Sequence, residues 1–186
     1  MRIVGGQNKG TKLVTPKSNK TRPTSDKVRE SLFNRLAHGI EDFELEGARV
    51  LDLFAGTGAL GLEALSRGAA FVVFIEDAAE ARGLIRRNIE QLERTGQTKL
   101  FRRNAVTLGP LKRFEPFNLV FLDPPYNKGL GEKALQSAID GNWLTEHALI
   151  ILEDAKDAII TWPDQCTPLS EHTYGDTTLH IAKINL

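Results

Sequence analysis

The chain has 186 residues, 41% of them apolar and 26% charged, with 24 basic side chains balanced by 24 acidic ones. That composition belongs to a globular protein with room for one well-cored domain and a small appendage. Cys166 is the only cysteine, which excludes an internal disulfide framework and a thiolate zinc cluster, and no apolar run approaches the length of a membrane span, so a cytoplasmic protein is expected.

The zero net charge hides a gradient. Residues 1–40 hold nine Lys or Arg against Asp26 and Glu30, whereas the stretch from Gly129 to the end holds Lys133, Lys156 and Lys183 against nine acids. A basic leading segment suits an arm that grips phosphates, with Lys9, Lys12, Lys17, Lys20, Arg22 and Arg29 as candidates; an ordinary solvated surface is the competing reading.

In chain order, Arg2 to Val4 and Thr11 to Val14 predict a small hairpin around the turn signal Gly5-Gly6-Gln7-Asn8-Lys9-Gly10. Residues 15–23 are polar and loop-like. Thr24 or Ser25 then caps a helix whose stripe of Val28, Leu32, Phe33 and Leu36 ends near His38-Gly39, and a linker over 41–48 follows. This divides the chain into an extension over 1–40 and a main domain over 41–186. In the latter, strands over 49–54, 71–76, 99–102, 117–122 and 148–153 alternate with helices near 59–67, 78–94 and 129–140. Nearly continuous apolar strands separated by helices predict a Rossmann-like α/β domain, a mostly parallel sheet covered on both faces. Residues 158–162 and 177–184 are further strand candidates, and Tyr174-Gly175-Asp176 reads as the turn before the last one. The four histidines show no metal-ligand spacing, no metal is expected, and Trp143 and Trp162 read as packing residues.

Two motifs carry chemistry. The run from Val50 to Gly61 passes from an apolar strand through Phe54-Ala55-Gly56-Thr57-Gly58 into a helical pattern, and Glu76 closes the next apolar run 20 residues beyond Gly56, where a carboxylate can hold ribose hydroxyls. Glycines let backbone approach a ligand that side chains would exclude. S-adenosylmethionine, a dinucleotide and a purely structural turn all fit the glycines; Asp52 puts negative charge where a pyrophosphate would sit, and a sulfonium cofactor tolerates it better. The second motif, Asp123-Pro124-Pro125-Tyr126, follows the apolar run Leu119-Val120-Phe121-Leu122. An exocyclic base amine is a poor nucleophile because its lone pair is delocalised, so it must be oriented and its developing charge stabilised. Asp123 and the Pro124 carbonyl can accept its hydrogens and Tyr126 can stack on the ring. Asp52, Glu76, Asn104 and Asp123 all fall at predicted strand ends, where open parallel sheets bind ligands.

Together with Arg2-Ile3-Val4-Gly5-Gly6 and the stretch from Arg22-Pro23-Thr24 to Asn34, these motifs resemble the RsmD-type bacterial 16S rRNA guanine-N2 methyltransferases, which are class I S-adenosylmethionine enzymes. The resemblance runs over nearly the whole chain, with Ser25 where the family usually has a second threonine. It implies a seven-stranded mostly parallel sheet with an antiparallel end. It also implies S-adenosylmethionine held by Asp52, Phe54, Gly56, Thr57, Gly58, Glu76, Asn104, Ala105 and Asp123, and catalysis by Asp123, Pro124 and Tyr126. The implied partner is 16S rRNA, within a small-subunit assembly particle that already carries ribosomal proteins. An adenine-N6 or glutamine-N5 methyltransferase with the same pocket, and a non-catalytic RNA-binding assembly factor, are the alternative readings.

Overall fold

The computed structural model describes residues 1–16 and 25–186, so Lys17, Lys20, Arg22, Pro23 and Thr24 lie outside the described residues. A hairpin comes first. Arg2 and Lys12 form an antiparallel bridge, and Ile3 N–H donates to the Thr11 carbonyl at 2.9 Å. Gly5 and Gly6 serve more than the expected turn. A Cβ on Gly6, at φ 73°, would lie 1.8 Å from the Ser66 carbonyl oxygen, so glycine is needed for the hairpin to rest on the following domain.

Helix α1 (Asp26–His38) starts at Ser25, whose hydroxyl accepts from Val28 N–H, and ends where Gly39 N–H reaches the Arg35 carbonyl. Its stripe of Leu32, Phe33 and Leu36 is buried, together with Arg29. The remaining elements are β1 (Arg49–Leu53), α2 (Ala59–Ser66), β2 (Phe71–Ile75), α3 (Ala79–Gln91), β3 (Thr98–Phe101), β4 (Phe117–Leu122), α4 (Leu130–Asp140), β5 (Leu144–Ala155), β6 (Cys166–Tyr174) and β7 (Thr177–Ile184).

The strands form one seven-stranded sheet in the order β3-β2-β1-β4-β5-β7-β6. The first five are parallel, and β7 runs antiparallel to both β5 and β6. This is the Rossmann-like sheet of class I methyltransferases. Strand order reverses between β1 and β4, which opens the ligand crevice at their carboxyl ends.

Alternating strand residues face opposite cores, as the pleat requires. Val50, Phe74, Leu119, Phe121, Ile151 and Leu179 join one core with the hairpin residues Ile3 and Leu13 and the α1 stripe. Leu51, Val73, Val120, Leu122, Ile150 and Leu152 join the other, under α4. The hairpin and α1 therefore share a core with the sheet, and Trp143 packs in the second core with its ring N–H on the Gly109 carbonyl.

Two strand expectations need correction. Residues 158–162 form no strand: Ile159 is 91% exposed, while Ile160 and Trp162 pack on the α4-side core from an irregular segment. The sixth strand is β6, an edge strand with Pro168 inside it and largely exposed polar positions, so its sequence lacks an apolar run. Strand β5 also begins earlier than expected, because its pairing with β4 shifts register between the Phe117 and Leu119 pairs, and the intervening Glu146 and His147 are exposed.

Candidate active site

The loop leaving β1 is built from left-handed backbone. Phe54 lies at φ 61°, Gly56 at 58° and Gly58 at 78°. A phenylalanine in that region is strained, and such strain persists where surrounding structure holds it. Here Ala55 N–H bonds the Ile75 carbonyl and Gly58 N–H the Ala55 carbonyl. Asp52, only 2% exposed, accepts the Gly61 amide at 3.0 Å and so fastens the first turn of α2 to β1. Its carboxylate is directed to this amide, inside the protein. Burial pushes the Asp52 carboxyl up to about 8, the Gly61 hydrogen bond opposing and the Glu76 charge adding to the rise.

A stability effect follows from that raised value. Ionising Asp52 costs the folded state nothing below the unfolded value near 3.8, an increasing amount as pH rises, and the full amount above about 8. Asp52→Asn keeps an acceptor for Gly61 and cannot ionise. In thermal melts of the cofactor-free protein, its Tm relative to the parent is therefore expected to be higher at about pH 9 than at about pH 4. A pH-independent difference would show that Asp52 ionises at the same pH folded and unfolded, so that burial does not raise its pKa.

Glu76 directly follows β2 and faces the glycine loop. One carboxylate oxygen accepts Gly56 N–H at 2.9 Å and the other Ala78 N–H at 2.8 Å. Asn104, beyond β3, caps a short 3-10 turn over Ala105–Thr107 by accepting Val106 N–H, and Ala105 is buried beneath it. Phe54, Ile75, Glu76, Asn104, Ala105 and Pro125 line a cleft of about 170 Å³ that joins the ends of β1, β2, β3 and β4. Apolar walls with Glu76, Asp77, Arg103 and Asn104 among them fit a nucleoside: flat surfaces for the base, Glu76 for the ribose diol. A larger recess of about 480 Å³ beside Gly109, Pro110, Lys133 and Asp140 contains none of these strand-end groups. The smaller cleft is thus the candidate cofactor site.

Thr57 is not among the residues that line this cleft. Its carbonyl accepts from Asn88 Nδ2 at 3.0 Å, and the same buried amide bonds both N–H and carbonyl of Val14. Asn88 therefore ties the leading segment to the glycine loop. Of the candidate phosphate contacts, Lys9 and Lys12 are exposed on the hairpin. Arg29 is a correction: it is fully buried, with its guanidinium 2.7 Å from Asp26 and 2.6 Å from the Arg2 carbonyl, so it pins the hairpin to α1 and cannot meet a phosphate.

Asp123 follows β4 beside the crevice and is partly exposed. Burial holds its carboxyl well above the ordinary range, and the charges of Glu153, Asp52 and Asp154 raise it further. Pro124 is buried behind it. Tyr126 returns toward the sheet, where its hydroxyl donates to Glu153 at 2.6 Å and lies 3.1 Å from the Thr177 hydroxyl. Burial, and then the Glu153 hydrogen bond, make that phenol harder to ionise.

The family described as conserved hypothetical protein 95 matches residues 1–183. The chain is 46% identical over 154 residues to ribosomal RNA small subunit methyltransferase D of Escherichia coli strain K12, an alignment covering 82% of this chain and 74% of the relative. The chain belongs to the RsmD family. Its Haemophilus influenzae member is 37% identical over 177 residues, covering 94% of this chain and 89% of that protein. The solved structure of the methyltransferase yhhF from Escherichia coli superposes with a TM-score of 0.83 at 36% identity, covering 100% of this chain and 98% of that one.

In this RsmD-family chain the crevice thus unites Phe54, Gly56, Glu76, Asn104, Ala105 and Asp123 from four strand ends. Three residues with a place around it lie outside the motifs of the sequence. Glu153 closes the apolar run of β5 as Glu76 closes that of β2, a signal legible along the chain. Asn88 interrupts the apolar stripe of Leu84, Ile85 and Ile89 on α3, and a lone amide on such a stripe marks a buried polar contact. Thr177 carries no local signal.

Proposed function

We propose that the chain methylates the exocyclic N2 amine of a guanine in 16S rRNA, with S-adenosylmethionine as donor. The observation that carries this is the placement of Asp123 and Tyr126 at the end of β4, across the topological switch point from the glycine loop at the end of β1. When bound, S-adenosylmethionine supplies an electrophilic methyl group. The protein's residues do the rest. Gly56, Thr57 and Gly58 bring backbone close to the cofactor's methionine part, Glu76 accepts from the ribose, and Asn104 with Ala105 borders the adenine. Asp123 and the Pro124 carbonyl accept the two hydrogens of the target amine and stabilise the positive charge that grows on nitrogen. Tyr126 stacks on the base, which must be unpaired or turned out of its helix to arrive there. The cationic product amine is acidic enough to lose its proton without a strong base.

The choice of ribosomal RNA follows the relatives, whose name is ribosomal RNA small subunit methyltransferase D. The choice of guanine N2 follows the motif resemblance. We take the substrate to be a small-subunit assembly particle already carrying ribosomal proteins, which places the enzyme in the cytoplasm, with residues 1–40 acting as an RNA-gripping extension of the catalytic unit over 41–186. Exposed Lys9 and Lys12, on a segment that Asn88 anchors at Val14, support the extension's role. Replacing both lysines by alanine should lower RNA affinity uniformly across sequences. It should also flatten the plot of log affinity against log salt by about 0.9 for each phosphate that is no longer neutralised. Affinity equal to the parent at physiological salt would make this hairpin an ordinary solvated surface.

The function itself is tested by incubating the protein with methyl-labelled S-adenosylmethionine and small-subunit particles from cells lacking the enzyme, then digesting the RNA to nucleosides. Label in N2-methylguanosine is expected. Label in N6-methyladenosine or in protein would establish a different amine as acceptor, and no label at all would favour a binding role.

A further inference from the structure

Strand β5 contributes a residue to the acceptor site that neither motif includes. Strands β4 and β5 are parallel neighbours, with Phe121 opposite Ile151 and Leu122 opposite Leu152. Asp123 directly follows Leu122 and Glu153 directly follows Leu152, so the two carboxylates come from neighbouring positions where the paired register ends. Glu153 is 4% exposed. Its carboxylate receives the Tyr126 hydroxyl at 2.6 Å, and Thr177 at the start of β7 lies 3.1 Å from that same hydroxyl. The tyrosine of the Asp-Pro-Pro-Tyr motif is thus gripped at its far end by two strands, β5 and β7.

We propose that Glu153, assisted by Thr177, is a positioning residue for the methyl acceptor, seating the Tyr126 ring and setting a second carboxylate beside Asp123. The proposal rests on the methyltransferase reading above and deepens it. A ring fixed by a short hydrogen bond offers a stacking surface at a set height above the base, and small errors in that height reduce the rate steeply. The second carboxylate acts on Asp123. The charged and titratable groups that act on Asp123 are Asp52 from β1 and Glu153 and Asp154 from β5, all acidic, with Tyr126 from its own loop. After burial, Glu153 is the largest influence raising the Asp123 carboxyl above its ordinary range. Asp123 stabilises the positive charge growing on the amine nitrogen best when ionised, so Glu153 raises the pH at which the site becomes fully competent. Asp154 is differently engaged, since it accepts the Asn127 and Ala155 amides and fixes the loop after Tyr126.

The two roles separate experimentally. Glu153→Gln keeps an oxygen for the Tyr126 hydroxyl and removes the charge. Removing a negative neighbour lowers the Asp123 pKa, so the acid limb of kcat/KM should move to lower pH, by about one unit. Tyr126→Phe and Thr177→Val keep every carboxylate. Tyr126→Phe should lower kcat about tenfold, with the smaller loss for Thr177→Val and with cofactor affinity unchanged. The assay is transfer of labelled methyl to small-subunit particles, with calorimetric binding of S-adenosylhomocysteine as the folding control. No transfer by the parent enzyme would remove the methyltransferase reading itself. Given parent activity, an unmoved acid limb in a cofactor-binding Glu153→Gln would overturn the inference. Parent-like kcat in Tyr126→Phe would do so as well, and that variant decides the matter if Glu153→Gln does not fold.

Discussion

Replacing Asp123 by alanine is expected to lower the methyl-transfer rate by at least about a hundredfold, the scale of losing one preorganised electrostatic partner of a reacting atom. The carboxylate sits at the end of β4, backed by buried Pro124 and held between the charges of β1 and β5. Such a group meets the target amine without reorganising. Because it is protonated more readily than an ordinary aspartate, the parent enzyme should also lose activity at a higher pH than an exposed carboxylate would dictate. Single-turnover transfer and RNA binding measured on the same variant separate the roles. Slow chemistry with near-parent RNA affinity is expected. A fall in affinity with chemistry intact would make Asp123 a binding residue only.

The second large effect concerns the cofactor. Glu76 does two jobs: its oxygens hold the Gly56 and Ala78 amides, and its remaining lone pairs face the cleft where a ribose diol would lie. Glu76→Ala removes charge-assisted hydrogen bonds and frees the glycine loop, so calorimetric affinity for S-adenosylmethionine should fall by about 1 to 3 kcal/mol, or roughly five- to 150-fold. Glu76→Gln, which retains one acceptor and can still hold an amide, should lose less. Parent affinity in the alanine variant would place the ribose elsewhere.

Much of this architecture is legible in the chain because a parallel sheet covered on both faces turns its strands into unbroken apolar runs. Strands β1, β2 and β4 are such runs, each closed by a short acidic or glycine-bearing segment, and the ends of all three runs agree with the observed strands to within about a residue. The edge strand β6 is hidden for the opposite reason. It buries little, it contains a proline, and the apolar stretch Ala158 to Trp162 just before it mimics a strand while packing as an irregular segment.

The site divides along similar lines. Glu76, Asn104 and Asp123 announce themselves by position at strand ends. Asp52 does too, yet a buried carboxylate at a strand end can turn inward to an amide, as it does toward Gly61. Arg29 belongs to a basic segment by composition and to the core by geometry, because its helical position faces the hairpin rather than solvent. Glu153 closes an apolar run as Glu76 does, but its contact with the Tyr126 hydroxyl, like that of Thr177, joins three segments of chain and is not revealed by spacing along one strand.

Whether four strand ends form one methyl-transfer centre is decided by a crystal structure with S-adenosylhomocysteine. The nucleoside is expected in the cleft lined by Phe54, Glu76, Asn104 and Pro125, its ribose hydroxyls on Glu76 and its sulfur directed toward Asp123. Density in the recess beside Pro110 and Lys133, or a ribose that makes no contact with Glu76, would contradict that centre.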